Sequence, residues 1–165
     1  MSVHAHKQHG PKEVRCAVIT VSDTRTEATD TSGAKIKELL AGVGHPLVGY
    51  WIIADEPELI RARLRQLPAE TQAVILNGGT GLARRDTTFE AVEELLEKTL
   101  GGFGELFRML SWEQIGAAAM LSRATAGIAG GRVLFSVPGS TAAVELAMTK
   151  LILPELGHIV GLLAD

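Results

Sequence analysis

The feature that most constrains this chain is an alternation of two periodicities. Short apolar runs at 14–21, 47–53, 73–76 and 132–137 read as strands, and Ala17, Val18 and Ile19 form the continuous run of a strand buried on both faces. Between them the period lengthens. Ile36, Leu39, Leu40 and Val43 fall at i, i+3, i+4 and i+7, after Asp30, Thr31 and Ser32, each of which can cap a helix, and before Gly42 and Gly44, which can close it. Glu56-Pro57-Glu58 opens a second helix with a stripe of Leu59, Ile60, Leu64 and Leu67. A third starts near Thr88, segment 102–120 reads as helix in two pieces, and a last helix begins after Thr141 and is expected to stop at Pro154. Strand, helix and short connection in alternation specify an α/β fold: a three-layer αβα sandwich around a mostly parallel sheet, joined by right-handed crossovers.

Composition narrows the function classes. The 165 residues carry 19 acidic and 16 basic side chains, a net charge of −3, which argues against a nucleic-acid binder. With 46% hydrophobic residues the chain can bury a core, and with 4% aromatic that core is aliphatic. Cys16 has no partner for a disulfide and reads as a small buried hydrophobe. Residues 1–13 read as a disordered tail, with His4, His6 and His9 unaccompanied by ligands at metal spacing, and 14–165 as one domain. No signal peptide and no run of membrane-spanning length is apparent, so a soluble cytoplasmic protein is expected, with no membrane partner.

Open parallel sheets bind ligands beyond the carboxyl ends of their strands. Here those ends carry Ser22, Asp23 and Thr24, then Asp55, then a glycine-rich loop, then Pro138, Gly139 and Ser140. The loop, GGTGLARRD over 78–86, is the most informative. Gly78, Gly79 and Gly81 around Thr80 let backbone N–H groups approach a phosphate, Arg84 and Arg85 add cationic donors, and Asp86 adds a carboxylate for a divalent cation. A tight turn with exposed arginines is the alternative reading of the same residues. Asp55 caps a helix or, with Asp86, forms a Mg²⁺ ligand pair, since Mg²⁺ takes one or two carboxylates plus phosphates and water. Glu90, Glu93, Glu94 and Glu97 read as the solvated face of one helix, and His158 as a packing residue. Trp51 and Trp112 suit packing better than stacking on a heterocycle.

Several blocks together carry a resemblance: VITVSDTRT (18–26), DTSGAKI (30–36), GGTGLARRDTTFEA (78–91), GFGELFRMLSWEQIG (102–116), AMLSRATAGI (119–128) and SVPGST (136–141). In this order, over about residues 14 to 163, the chain resembles the MoaB/Mog family of molybdenum cofactor biosynthesis proteins, related to the G domain of gephyrin. The resemblance implies a fold that binds molybdopterin at the carboxyl edge of the sheet. It also implies Mg-ATP-dependent adenylation, in which the terminal phosphate of the pterin attacks the α-phosphorus of ATP and releases pyrophosphate. AMP-molybdopterin would then pass to a molybdate-inserting protein. Carried over residue by residue, the resemblance puts Asp55 and Asp86 at Mg-ATP handling and transfer, residues 78–81 at a phosphate, and Ser122 and Ser140 at the pterin or its phosphate.

Two branches meet in this chain. Segment 102–116 and the PGST ending are similar to the MoaB branch, some members of which lack adenylyltransferase activity, whereas ARRD and Asp55-Glu56 are similar to the catalytic Mog branch. Phe89 stands where the family often has proline. A non-catalytic molybdopterin-binding paralogue is therefore the alternative to the enzyme. The family implies homo-oligomers, a hexamer favoured over a trimer, and Phe103, Leu106, Phe107, Met109, Leu110 and Trp112 suit either such an interface or the core.

Overall fold

A computed structural model describes residues 10–164 of the chain; the three N-terminal histidines lie outside the described residues. Six strands form one sheet: β1 (Cys16–Val21), β2 (Leu47–Ile53), β3 (Ala73–Asn77), β4 (Lys98–Thr99), β5 (Thr125–Ala129) and β6 (Arg132–Val137). Their order is β2-β1-β3-β6-β5-β4. The four strands legible in the sequence are mutually parallel, while β5 runs antiparallel to both β6 and β4. Beginning at Thr125, β5 is a short run rich in Ala and Gly with little strand propensity, and sequence reading passed over it. Its signal lay in the turn: Gly130 and Gly131, with φ of 56° and 72°, make the two-residue hairpin that joins it to β6.

Side chains alternate between the two faces of the central strands, and both faces are buried. Cys16, Val18, Ala73, Ile75, Val133 and Phe135 face one apolar cluster; Ala17, Ile19, Val74, Leu76 and Leu134 face the other. The first cluster is covered by α1 (Thr31–Gly42), α4 (Gly101–Ile115), α5 (Thr141–Ala147) and α6 (Leu153–Leu163). The second is covered by α2 (Pro57–Arg65) and α3 (Thr88–Glu93). This is the three-layer sandwich that the alternation specified. Burial pushes the Cys16 thiol up to about 12, which removes it as a nucleophile.

Of the candidate capping residues for α1, Asp30 does the capping, its carboxylate accepting the Gly33 N–H at 2.9 Å. Segment 102–120 is helical in two pieces, as expected: α4 ends at Gly116, with φ of 58°, and a 3₁₀ turn continues to Leu121. Phe103 and Phe107 enter the core, whereas Leu106, Met109 and Trp112 are exposed. Trp51 packs half-buried against the second cluster, beneath the Arg63 guanidinium.

Three expectations need correction. Pro154 does not stop the last helix. A π turn at Met148–Ile152 links α5 to α6 and puts Pro154 just beyond it, where the shifted hydrogen-bond register accommodates a residue without an N–H. The continuous helix Thr141–Leu163 is, by length and composition alone, long and apolar enough to cross a membrane, contrary to the sequence reading, but Val144, Met148, Ile152, Leu156 and Val160 are buried against the sheet. The acidic run is not one solvated helical face either, because α3 ends at Glu93. Glu90 pairs with Arg123, Glu93 accepts from Thr125, Glu94 pairs with Arg61, and Glu97 accepts the Gly130 N–H.

The contrast along α4 gives a direct test. Phe107→Ala is expected to cost about 3–5 kcal/mol in urea unfolding, whereas Met109→Ala, two residues on and on the exposed face, should stay within about 0.5 kcal/mol.

Candidate functional site

Where β1, β3 and β6 end, they surround an open cavity of about 540 Å³. Its floor is Thr20 and Asn77, and its walls are Ser22, Gly78, Gly79, Thr80, Gly81 and Asp86 on one side and Pro138, Gly139 and Ser140 on the other. Ser122, Arg25, Ile115, Ala118 and Leu121 complete the rim. The loop after β3 turns on Gly78 and Gly79, with φ of 101° and 66°, a backbone that side chains rarely adopt. A Cβ on Gly78 would also collide with the Val21 carbonyl at the end of β1.

Under this floor lies a buried polar network centred on the Asp30 carboxylate, which is 2% exposed. Thr20 Oγ1 donates to it at 2.5 Å and Tyr50 Oη at 2.7 Å. Ser32 Oγ lies 2.8 Å from Asn77 Oδ1 and 3.1 Å from Asp30 Oδ1, while Asn77 Nδ2 donates to Thr20 Oγ1 at 3.0 Å. Arg25 joins from the rim: it donates to Ser32 Oγ at 3.0 Å and to the Gly139 carbonyl at 3.2 Å, and pairs with Asp30 at 3.4 Å. Burial pushes the Asp30 carboxyl upward, but hydrogen bonds from Thr20, the Gly33 N–H, Tyr50 and Ser32 outweigh it and hold the group below the ordinary carboxylate range. Tyr50 is raised well above the usual phenol range by burial and by donating to Asp30.

The two candidate metal ligands flank the glycine loop. Asp55, 6% exposed, accepts from the Thr87 N–H at 3.0 Å and the Thr87 hydroxyl at 2.7 Å through Oδ1, and its Oδ2 lies against Gly79. Asp86 accepts the Ala83 N–H at 2.9 Å through Oδ2, beside Gly81. Among the described residues, no three His, Cys, Asp or Glu side chains gather to hold a metal unaided.

Ten of the fourteen candidate site residues line this one cavity. Asp23, Asp55, Arg84 and Arg85 do not. Arg85 was expected to meet phosphate; instead it donates to Asp23 at 2.7 Å and to Glu56 at 2.6 Å on the neighbouring surface, while Arg84 is exposed. Arg85, by hydrogen bonding, and then the Asp55 N–H hold the Asp23 carboxyl below its usual range. His158 stands apart, 3.1 Å from Glu155 on α6. Thr20, Arg25, Asp30, Asn77 and Arg123 were missed as site residues, although each lies within or beside a block that drew attention. Polar residues at the ends of strands otherwise wholly apolar were the available signal for Thr20 and Asn77.

A sandwich with a glycine-lined cavity at the carboxyl edge of its sheet defines a small-ligand-binding α/β domain. Residues 17–158 match the family model described as a probable molybdopterin binding domain. Molybdenum cofactor biosynthesis protein B of Bacillus cereus is 57% identical over 162 residues, covering 96% of each chain. A crystal structure of a molybdenum cofactor biosynthesis protein B superposes with a TM-score of 0.90 at 54% identity, over 93% of this chain and 98% of that one. The tungsten cofactor synthesizing protein MoaB of Pyrococcus furiosus superposes with a TM-score of 0.83 at 39% identity, over 94% and 99%. The chain belongs to the MoaB/Mog family of molybdenum cofactor biosynthesis proteins.

Asp30→Asn should destabilise the protein by about 2–3 kcal/mol at neutral pH, since it unbalances a buried carboxylate network. Because the folded carboxyl titrates below its unfolded value, its stabilisation is complete above the unfolded value and is lost as pH falls through the folded one. Urea unfolding at several pH values should therefore show the gap between wild type and variant closing under acid conditions.

Proposed function

We propose that this protein adenylates molybdopterin, with Mg-ATP as co-substrate, during molybdenum cofactor biosynthesis. The observation that carries the proposal is the pair of carboxylates, Asp55 and Asp86, standing at Gly79 and Gly81 on the two flanks of the glycine loop. Both are acidic oxygen donors beside backbone suited to a phosphate, and the Thr88 hydroxyl, buried without a hydrogen-bond partner, lies against the same Gly79. That oxygen-rich set fits a hard divalent cation that shares its coordination with phosphates. Bound there, Mg²⁺ would neutralise charge on the transferring phosphoryl group.

The remaining work is positioning. The glycine turn would orient the phosphates, and Ser122 and Ser140, which both line the cavity, would meet the pterin beside the apolar rim of Ile115, Ala118 and Leu121. The pterin phosphate attacks the α-phosphorus of ATP, and pyrophosphate leaves. No covalent nucleophile is needed, which suits a site of glycines, serines and carboxylates. The product would pass to a molybdate-inserting protein, and the setting would be the cytoplasm.

A second reading has its own support. Arg84 and Arg85 do not reach the cavity, and Arg85 is held by Asp23 and Glu56, as a paralogue that binds molybdopterin without turning it over would tolerate. Incubation with molybdopterin and Mg-ATP separates the two readings. Asp86→Asn is expected to cut formation of AMP-molybdopterin by at least about a hundredfold while pterin affinity changes by less than about threefold. Equal loss of both would remove Asp86 from metal handling, and tight binding without turnover in the wild type would favour the paralogue.

The family resemblance and the apolar surface of α4 also lead us to propose a homo-oligomer, a hexamer rather than a trimer. Met109, Trp112 and Met120 are between 56% and 76% exposed and line one surface groove. Light scattering at micromolar concentration should give six times the chain mass of 17.5 kDa; three times would show that the trimer stands alone.

A further inference from the structure

The glycine loop has an uneven hydrogen-bond ledger. Its carbonyl oxygens are taken: Gly79 O accepts the Thr88 N–H at 3.1 Å, and Thr80 O and Gly81 O accept from the Arg123 side chain at 3.4 Å and 3.1 Å through Nε. Arg123 Nη2 donates again to Gly81 O at 2.6 Å and to Asp86 O at 3.0 Å. By contrast, the N–H groups of Gly79, Thr80 and Gly81 donate to no acceptor among the described residues, and all three residues line the cavity. Arg123 itself does not line the cavity. Its third nitrogen pairs with Glu90, and its guanidinium lies 5.1 Å from the centre of the Phe89 ring. Every arm of the fork is occupied behind the loop.

From this we propose that Arg123 is a positioning residue: by drawing the carbonyl oxygens of the loop away from the cavity, it leaves the N–H groups facing inward and makes the loop a receptor for a phosphoryl anion. A backbone turn has one donor and one acceptor per residue, and what it binds depends on which set faces the ligand. A planar fork with donors on three nitrogens can hold several separated carbonyls in a fixed geometry, whereas a lysine presents its three donors from a single nitrogen on a flexible stem. The clamp is anchored in turn, since Arg108 of α4 donates to the carbonyls of Ser122 and Ala124, the residues on either side of Arg123. Phe89, the departure from the family pattern, takes part by stacking beneath the clamp. The inference rests on the phosphate reading of the loop.

Calorimetry with pyrophosphate and with Mg-ATP, together with amide hydrogen exchange, tests it on the intact protein. In Arg123→Met, the amides that the loop protects, Ala83, Asp86 and Thr88, should exchange at least about tenfold faster while those of β3 stay unchanged, and affinity for both probes should fall about tenfold. Arg123→Lys, which keeps the charge but not the fork, should recover only part of either effect. Affinity lost with loop exchange unchanged would make Arg123 a direct ligand and overturn the proposal. So would probe binding that survives Arg123→Met, or exchange that rises equally in β3. If the wild type binds neither probe, the phosphate reading fails first, and this inference falls with it.

Discussion

The buried carboxylate of Asp30 is the interaction on which the site most depends. A charge with so little exposure is tolerable only when its oxygens are fully engaged, and here they are met from β1 by Thr20, from β2 by Tyr50, and from its own helix by Ser32 and the Gly33 N–H. Each donor fixes an element. The same carboxylate that caps α1 therefore sets that helix against the strand ends, and Asn77 extends the network to β3, the strand that launches the glycine loop. Arg25 carries it across to the Gly139 turn after β6. Removing any one of these partners would leave another unsatisfied.

Around that floor the labour is divided by charge. Backbone donors and one arginine edge the cavity itself, carboxylates sit at the shoulders of the glycine turn, and cations further out are neutralised by neighbouring acids. The protein is mildly acidic as a whole, with a net charge of −3, and the proposed function asks it to hold an anion locally. Oriented N–H groups do this without adding a charge that would itself need burial. The proposed phosphate site therefore needs few basic side chains at its edge.

Much of the fold was legible because the central strands are buried on both faces and the helices keep a strict period, as in the 36–43 segment. The strand ends pointed to one edge of the sheet, and there a cavity gathers Ser22, the glycine loop, Asp86, Ser122 and the 138–140 turn. What escaped has a common physical cause. Arg85, Arg123 and Glu90 have roles set by partners far away in sequence, and residue type at a loop position does not reveal whether a guanidinium faces a ligand or the back of the loop. β5 escaped because hairpin pairing, not its own composition, holds it in the sheet. Pro154 misled because a proline ends a helix only when the carbonyl four residues earlier is otherwise positioned to be paired.

The π turn that accommodates this proline also has a geometric consequence for the core. At about 100° per residue, the sixteen steps from Val144 to Val160 would carry Val160 roughly 160° round an unbroken α-helix, away from the sheet. A π turn absorbs one residue, which brings that angle down to roughly 60°. Both ends of the helix can thus lie on a single sheet, and both residues are buried there. The irregularity acts as a phase correction: one surplus residue, set midway along the helix, keeps a long rod in step with a twisted surface.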